Sequence, residues 1–566
     1  MYTGGMISRK TPKTRNIMNQ RENVITDKTL WMILLVACII RLYIWYVTPI
    51  ISTDGISYIN TAKHFMSGNF YEGLKHPYHP LYSLFIAVVS SMGIGFETAG
   101  RLVSLFFSTL SVAVVYFFGK KMFDWRIAII SAILLAFHPY AARLSAEVRC
   151  DSMYLFFYLL GFGLGYLAIA VKKLYFFFLA GAASAFAYLT RPEGISVILI
   201  LSIWIGIQLI KFERPYWGNC LKNLCVLFVG FLIFSSPYLL YLRDYTNSWT
   251  FTQKKQLSDI SGITTMGDMV HDFPKWEIDE ATSTPRDNFS HDKIIGKNVS
   301  NQGYKSPPKA IPKHTSVLKY LQPIGTVLNE FIVTIHYPFV IFLIIGIACI
   351  IKNNKNRIVT FYITSYIVLF LFVLYFLKLT SGYASHRHFL SGVLITLFWT
   401  GIGINNTYSW LIKKIPKLQP AQTDNILSRS GIIFLCLVIA FFLPKTLKSF
   451  KSEGIYKDAG VWIKTFYPDV PAVLTDDAII AFYADVQRLE IPKKNTYKKL
   501  VTYARTKKVN LIAVTDDIVD YVPDFFSKIN HSDLKELYKG TSKNEKVVIY
   551  QVINEQRSKA TLHADE

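Results

Sequence analysis

Trp31-Met32-Ile33-Leu34-Leu35-Val36-Ala37-Cys38-Ile39-Ile40-Arg41-Leu42-Tyr43-Ile44-Trp45-Tyr46-Val47-Thr48 is an apolar run interrupted by one charge. Ile50-Ile51-Ser52-Thr53-Asp54-Gly55-Ile56-Ser57-Tyr58 follows it almost directly. The run is close to the roughly 20 residues that carry a helix across a bilayer. Asp54 therefore falls just past the exit of a first membrane helix, where a carboxylate can take a proton from something delivered to the membrane face.

The pattern repeats. The chain has 566 residues, 52% hydrophobic and only 17% charged, against about 25% charge in a soluble protein. Apolar runs recur from Trp31 to Pro444, so the expected fold is an α-helical polytopic membrane protein. No cleavable signal peptide is evident, since residues 1–30 are polar and basic. The net charge of +23 clusters at the ends of apolar runs. That suits anchoring and topology, and no nucleic-acid partner is expected. Cys38, Cys150, Cys220, Cys225, Cys349 and Cys436 have no metal-like spacing and suggest no disulfide framework.

Charge sets the topology. Arg9, Lys10, Lys13, Arg15, Arg21 and Lys28 make residues 1–30 a cytoplasmic N-terminus by the positive-inside rule. Leu81 to Gly95 is apolar but short. If it lies along the surface, the basic turns at Lys120-Lys121, Lys172-Lys173, Lys211 to Lys222, Lys352 to Arg357 and Lys413 to Arg429 all fall in the cytoplasm. The expected spans are then 31–48, 99–119, 126–139, 152–171, 174–189, 195–211, 223–242, 324–351, 358–379, 389–411 and 431–444, about 11 helices. The unusual polar residues collect outside, on external loops 49–98 and 243–323 and at external helix ends. The membrane part, 31–444, is followed by a region 451–566 with strand-like Ala472–Thr475, Asn510–Val514 and Lys546–Tyr550 and helix-like Tyr456–Phe466 and Thr496–Lys507. That order predicts a small extracytoplasmic α/β domain. Loop 243–323 is long enough to be a cover, and its Asn298-Val299-Ser300 fits a glycosylation acceptor.

Each candidate has a plainer reading beside it. Asp54 and Asp151 precede helical runs and could cap them. They could also share a cavity, where two carboxylates divide base and binding roles or hold a divalent metal ion. Thr190 and Glu193 have capping-box spacing around Arg191-Pro192, yet Arg191 could bind phosphate. Arg41 could snorkel or meet a lipid phosphate from inside the span. His76, His79, His386 and His388 could be metal ligands or interfacial hydrogen-bonding groups.

The order of late Arg41, external Asp54, Tyr58, His79-Pro80, Arg101, Pro139, Glu147-x-x-x-Asp151 and Arg191-Pro192-Glu193-Gly194 resembles the GT-C glycosyltransferases that use polyprenyl-phosphate sugars. Protein O-mannosyltransferases, bacterial lipid A aminoarabinose transferases and rhizobial lipid A galacturonosyltransferases are among them. The resemblance covers about residues 30–400. It implies a bacterial inner-membrane enzyme acting on the extracytoplasmic side. Asp54 would be the general base and Asp151 a second site carboxylate. Tyr58, His79, Glu193 and the cations Arg41, Arg143, Arg149, Arg191 and Arg387 would bind a polyprenyl-phosphate sugar donor or an acceptor, with inversion at the sugar. Many relatives have Asp-Glu in the first loop, where this chain has Asp54-Gly55. The alternative function is a lipid-linked sugar flippase or transporter, which would need polar residues through the midplane and internal repeats.

Overall fold

The computed structural model describes residues 12–211, 217–253, 318–352, 357–381, 385–414, 428–492, 495–542 and 545–553. The first eleven residues of the basic N-terminus, residues 254–317 of the long loop and Asn298-Val299-Ser300 lie outside them.

The elements in chain order are α1 (Pro12–Tyr46), α2 (Thr53–Met66), α3 (Phe70–Leu74), α4 (Leu81–Ser90), α5 (Phe96–Met122), α6 (Trp125–Phe137), α7 (Pro139–Leu144), α8 (Asp151–Val171), α9 (Leu174–Thr190), α10 (Ser196–Lys211), α11 (Trp217–Thr246), α12 (Leu318–Ile335), α13 (Tyr337–Lys352), α14 (Arg357–Ser381), α15 (His386–Lys414), α16 (Arg429–Ala440) and α17 (Leu443–Thr446). Each apolar run forms helix. Among the described residues, six stretches, Lys28–Tyr46, Phe96–Met122, Asp151–Val171, Trp217–Thr246, Arg357–Leu379 and His386–Lys414, are long and apolar enough to cross a bilayer unaided. With these spans the chain is an integral membrane protein.

Two expected spans are broken. Residues 324–351 are not one helix but two, turned by 98°. The break is His336, held in the left-handed region at φ 76°. Pro338 two residues on has no N–H for a continuing helix. The second half, α13, packs along α15. It lies against α15 so closely that a Cβ on Gly346 would strike the carbonyl of Trp399, and one on Gly403 that of Phe342. Small residues permit such backbone approach where lipid gives helices no hydrophobic drive to associate. The last run bends by 51° after Ala440.

Arg101, near the start of α5, donates to the carbonyls of Thr48 (2.7 Å) and Ile50 (2.8 Å), just past the end of α1. The chain therefore leaves and re-enters the bundle at the same end. The ten-residue α4 between them, about 15 Å long, does not cross. The same end holds Asp151 opening α8, Arg191 closing α9 and Arg387 opening α15. The turn Lys172-Lys173 and the Lys413-Lys414 end of α15 consequently lie at the other.

After α17 come α18 (Gly454–Phe466), β1 (Ala472–Thr475), α19 (Ala478–Ala484), β2 (Gln487–Glu490), α20 (Tyr497–Thr506), β3 (Leu511–Thr515), α21 (Phe525–Lys528), β4 (Leu534–Ser542) and β5 (Glu545–Val552). The sheet order is β2-β1-β3-β5-β4. β1 is parallel to β2 and β3, and β5 is antiparallel to β3 and β4. Alternate strand residues face opposite sides. Val473, Leu511 and Ala513 pack with Ala459, Ile463 and Ile480, while Leu474, Ile512 and Val514 pack with Leu500, Val501 and Phe525. The sequence pattern missed β2 and β4. Both are edge strands, rich in charge, as edges that must not pair further tend to be.

Candidate active site

Asp54 is not a helix cap. Ser52 caps α2, its hydroxyl accepting from Gly55 N, and Asp54 lies in the first turn, 4% exposed. Gly55 explains why no second acid stands there. A Cβ would come within 2.7 Å of Ile51 Cγ1 and 2.9 Å of the Val148 carbonyl. Its absence lets α2 sit against the 145–150 turn and brings Asp54 to Arg149.

From Asp54 a chain of alternating charge runs both ways. Its Oδ2 accepts from Arg149 Nη2 at 3.1 Å and from Arg387 Nη1 at 2.8 Å, and its Oδ1 accepts from the Tyr78 hydroxyl at 2.7 Å. Arg149 Nη1 faces Glu147 Oε2 at 3.4 Å, Arg143 Nε donates to Glu147 Oε1 at 2.5 Å, and Arg143 Nη2 lies 3.9 Å from Glu453. On the other side Arg387 Nε lies 3.9 Å from Asp151 Oδ1. Arg191 donates to that same oxygen and, at 3.0 Å, to Glu193, and the Tyr154 ring lies 5.5 Å from its guanidinium. Asp54, Arg143, Glu147, Arg149, Asp151 and Arg191 are all buried. Burying such charges is expensive, and paired carboxylates and guanidiniums are poor value as stability alone. A buried network at one end of a bundle is a functional-site signal.

The structure thus brings Asp54, Asp151, Arg143, Arg149, Arg191, Glu193 and Arg387 into one network. Three other candidates stand elsewhere. Arg41 gives its guanidinium to Ser108 Oγ (2.8 Å) and to the carbonyls of Ala37, Ala136 and Ser108. It neither snorkels nor joins this network, but ties α1 to α5 and α6. Tyr58 donates to Cys150 Sγ at 2.9 Å and stacks on Tyr78 at 4.9 Å, supporting the tyrosine that reaches Asp54. Burial pushes the Cys150 thiol up to about 11. His79 packs against the rings of Tyr188 (4.9 Å) and Tyr238 (5.1 Å). The capping box at Thr190 does not form, because its hydroxyl turns back to the Ala187 carbonyl at 2.6 Å. Sequence reading gave no role to Tyr78, Glu147 or Glu453. The spacing Arg143, Glu147, Arg149, Asp151 held a signal for Glu147, an acid between two cations.

A divalent metal fits poorly. Both aspartates are engaged by guanidiniums, and among the described residues no group of three or more His, Cys, Asp or Glu converges to hold an ion. His386 instead faces Glu330 at 3.1 Å and Thr334 at 3.2 Å, and His388 faces the Ser385 hydroxyl at 3.1 Å.

Residues 75–241 match the dolichyl-phosphate-mannose-protein mannosyltransferase family. No curated protein matches the chain by sequence. Among solved structures, ArnT from Cupriavidus metallidurans bound to undecaprenyl phosphate is similar at 12% identity and TM-score 0.51, over 93% of this chain and 97% of ArnT. The oligosaccharyltransferase AglB from Archaeoglobus fulgidus, in complex with an inhibitory peptide and a dolichol-phosphate, is similar at 11% identity and TM-score 0.52, over 93% of this chain and 74% of AglB. At such identities the structural likeness is one of fold. The family match covers residues 75–241 alone. Residues 75–241 are thus similar to the dolichyl-phosphate-mannose-protein mannosyltransferase family, and the chain as a whole shares the fold of ArnT and AglB.

Proposed function

We propose that the protein moves a sugar from a polyprenyl phosphate to an acceptor hydroxyl or amine on the extracytoplasmic side of the bacterial inner membrane. The observation that carries this is the Asp54 carboxylate held between guanidiniums from two distant parts of the chain. A base and the cations a phosphate leaving group needs occupy one buried place. Lipid phosphates bound in ArnT and AglB support a donor of that class. The basic turns at the opposite end support the sidedness.

In this reading Asp54 takes the acceptor's proton as the acceptor oxygen or nitrogen attacks the anomeric carbon. The bond from that carbon to the phosphate oxygen breaks, and the electron pair leaves with the lipid phosphate. Attack opposite the phosphate inverts the centre. General-base help is worth about 10²–10⁴-fold. Both Asp54 oxygens accept hydrogen bonds before substrate arrives. The donor phosphate draws Arg387 and Arg149 to itself, since arginine forks bind phosphate as they bind carboxylate, and so frees Asp54. Asp151 and Glu193 hold Arg191 and Arg387 in reach.

The test needs no knowledge of the sugar. A deletion strain is complemented with wild type or with Asp54→Asn, and its lipids and glycans are compared by mass spectrometry. Wild type should restore a sugar-bearing product, while Asp54→Asn should leave the product missing and the lipid-linked donor accumulated. Restoration by Asp54→Asn would remove Asp54 as the base.

A further inference from the structure

The C-terminal domain touches the helical part at the five residues that lead into the Asp54 helix. Phe450 N donates to the Val47 carbonyl at 3.0 Å. From α19 the Tyr483 hydroxyl accepts from Ile51 N at 3.0 Å and donates to Glu97 Oε1 at 3.1 Å. That same Glu97 oxygen accepts from Arg101 at 2.7 Å, and Arg101 holds the carbonyls of Thr48 and Ile50. Residues 47–51 are thus gripped on one side by a membrane helix and on the other by the soluble domain. Tyr483 closes the grip three residues before the capping turn of α2 ends at Asp54. Burial, with Glu97 beside it, pushes the Tyr483 phenol above its ordinary range, so it keeps the proton it donates.

A second line runs from the same domain. Glu453, just before α18, faces Arg143, which holds Glu147, which faces Arg149, which holds Asp54. One line sets the backbone beneath Asp54 and the other sets the charges around its carboxylate. Mere attachment of a domain needs neither. An apolar patch would dock it without burying a carboxylate against a catalytic network.

We propose that Tyr483 and Glu453 are positioning residues for transfer, so that the C-terminal domain is a working wall of the site. This rests on the reading of Asp54 as the base. A tyrosine or glutamate that only glued the domain on would change stability and leave turnover of the folded enzyme alone. A positioning residue changes kcat and the pH profile while leaving substrate affinity in place.

The test uses the full-length enzyme in detergent or proteoliposomes, with Tyr483→Phe, Glu453→Gln and Asp54→Asn compared by kcat, KM for donor and acceptor, pH–rate profile and thermal midpoint. Tyr483→Phe keeps the ring and loses both hydrogen bonds. Its kcat should fall about threefold to tenfold, the size of one or two net hydrogen bonds, with each KM within about twofold of wild type. Glu453→Gln should lower kcat and displace the acidic limb of the profile. Should Tyr483→Phe fail to fold, Glu97→Gln weakens the same link from the membrane side and should give the same kcat loss. Wild-type kcat and profile in folded Tyr483→Phe and Glu453→Gln, beside an inactive Asp54→Asn, would overturn the positioning role and leave the base standing. An active Asp54→Asn would remove both.

Discussion

Arg387 Nη1 lies 2.8 Å from Asp54 Oδ2, although 333 residues separate them in the chain. The contact ties the first residue pair of α15 to the first turn of α2. It also sets a competition, because any phosphate entering this space must take the guanidinium from a carboxylate. Arg387→Gln should therefore cost donor use more than acceptor use. Loss of one charge-stabilising donor commonly costs about 10²–10³ in rate, and roughly a hundredfold fall in kcat/KM for the donor is expected. Arg387→Lys keeps the charge but not the fork and should recover only part of it. Donor kinetics that do not change in Arg387→Gln would place the phosphate elsewhere.

Arg41 should behave differently, since its hydrogen bonds run to Ser108, Ala37 and Ala136. Arg41→Gln shortens the side chain and strands those acceptors in a buried setting, at about 1–3 kcal/mol. The thermal midpoint should drop while donor KM stays at the wild-type value. A selective rise in donor KM at unchanged stability would return Arg41 to substrate binding.

Tyr78 is the third donor on Asp54. Tyr78→Phe removes only the hydroxyl and should change kcat by a factor of about 2–10, with stacking on Tyr58 kept. An effect as large as that of Asp54→Asn would make the hydroxyl itself a reacting group.

Much of this site was legible because polar residues at the ends of long apolar helices stand out. Asp54, Arg149, Asp151 and Arg191 all sit at such ends. Register was not legible. In a helix apolar nearly all round, periodicity marks no face, so nothing told Arg41 from a residue pointing into the site. Tyr58 and Tyr78 stack on each other, and only three-dimensional placement shows which hydroxyl meets the carboxylate. The bend at His336 rests on one left-handed residue, and β2 and β4 carry too little apolar pattern to read as strands. Glu453 became visible only when the C-terminal domain was folded against α7.

Glu453 gives the pH prediction. Burial, opposed by Arg143 and reinforced by Glu147 and Glu545, pushes its carboxyl from 4.5 up to about 7. Between those values the folded protein holds a proton that the unfolded chain has released. Stability from this group is therefore highest below about pH 4.5, declines as pH rises through the window, and reaches its full penalty above about pH 7. At 1.36 kcal/mol per unit the penalty is roughly 3 kcal/mol. Glu453→Gln should melt above wild type at pH 8 and level with it near pH 4.5. A gap between the two proteins that does not vary with pH would contradict the shift.

Asp54 itself allows its structural and chemical roles to be separated. Because Ser52 caps α2, Asp54→Asn leaves the cap untouched. What it removes is the negative charge facing Arg149 and Arg387. Removing one partner of a buried pair leaves the other uncompensated, commonly at about 3–5 kcal/mol. The single variant should insert into the membrane but melt clearly below wild type. Adding Arg387→Gln takes away one of the two stranded cations, so the double variant should melt above Asp54→Asn alone. Neither variant should transfer sugar, because both lack a proton acceptor. A thermal series on the wild type, both singles and the double supplies the coupling energy, and a transfer assay on the same preparations supplies the chemistry. Additive melting shifts would mean the two residues are not an electrostatic unit. Transfer by the double variant would show that Asp54 serves only to hold the arginines, and the base would have to be sought at Asp151.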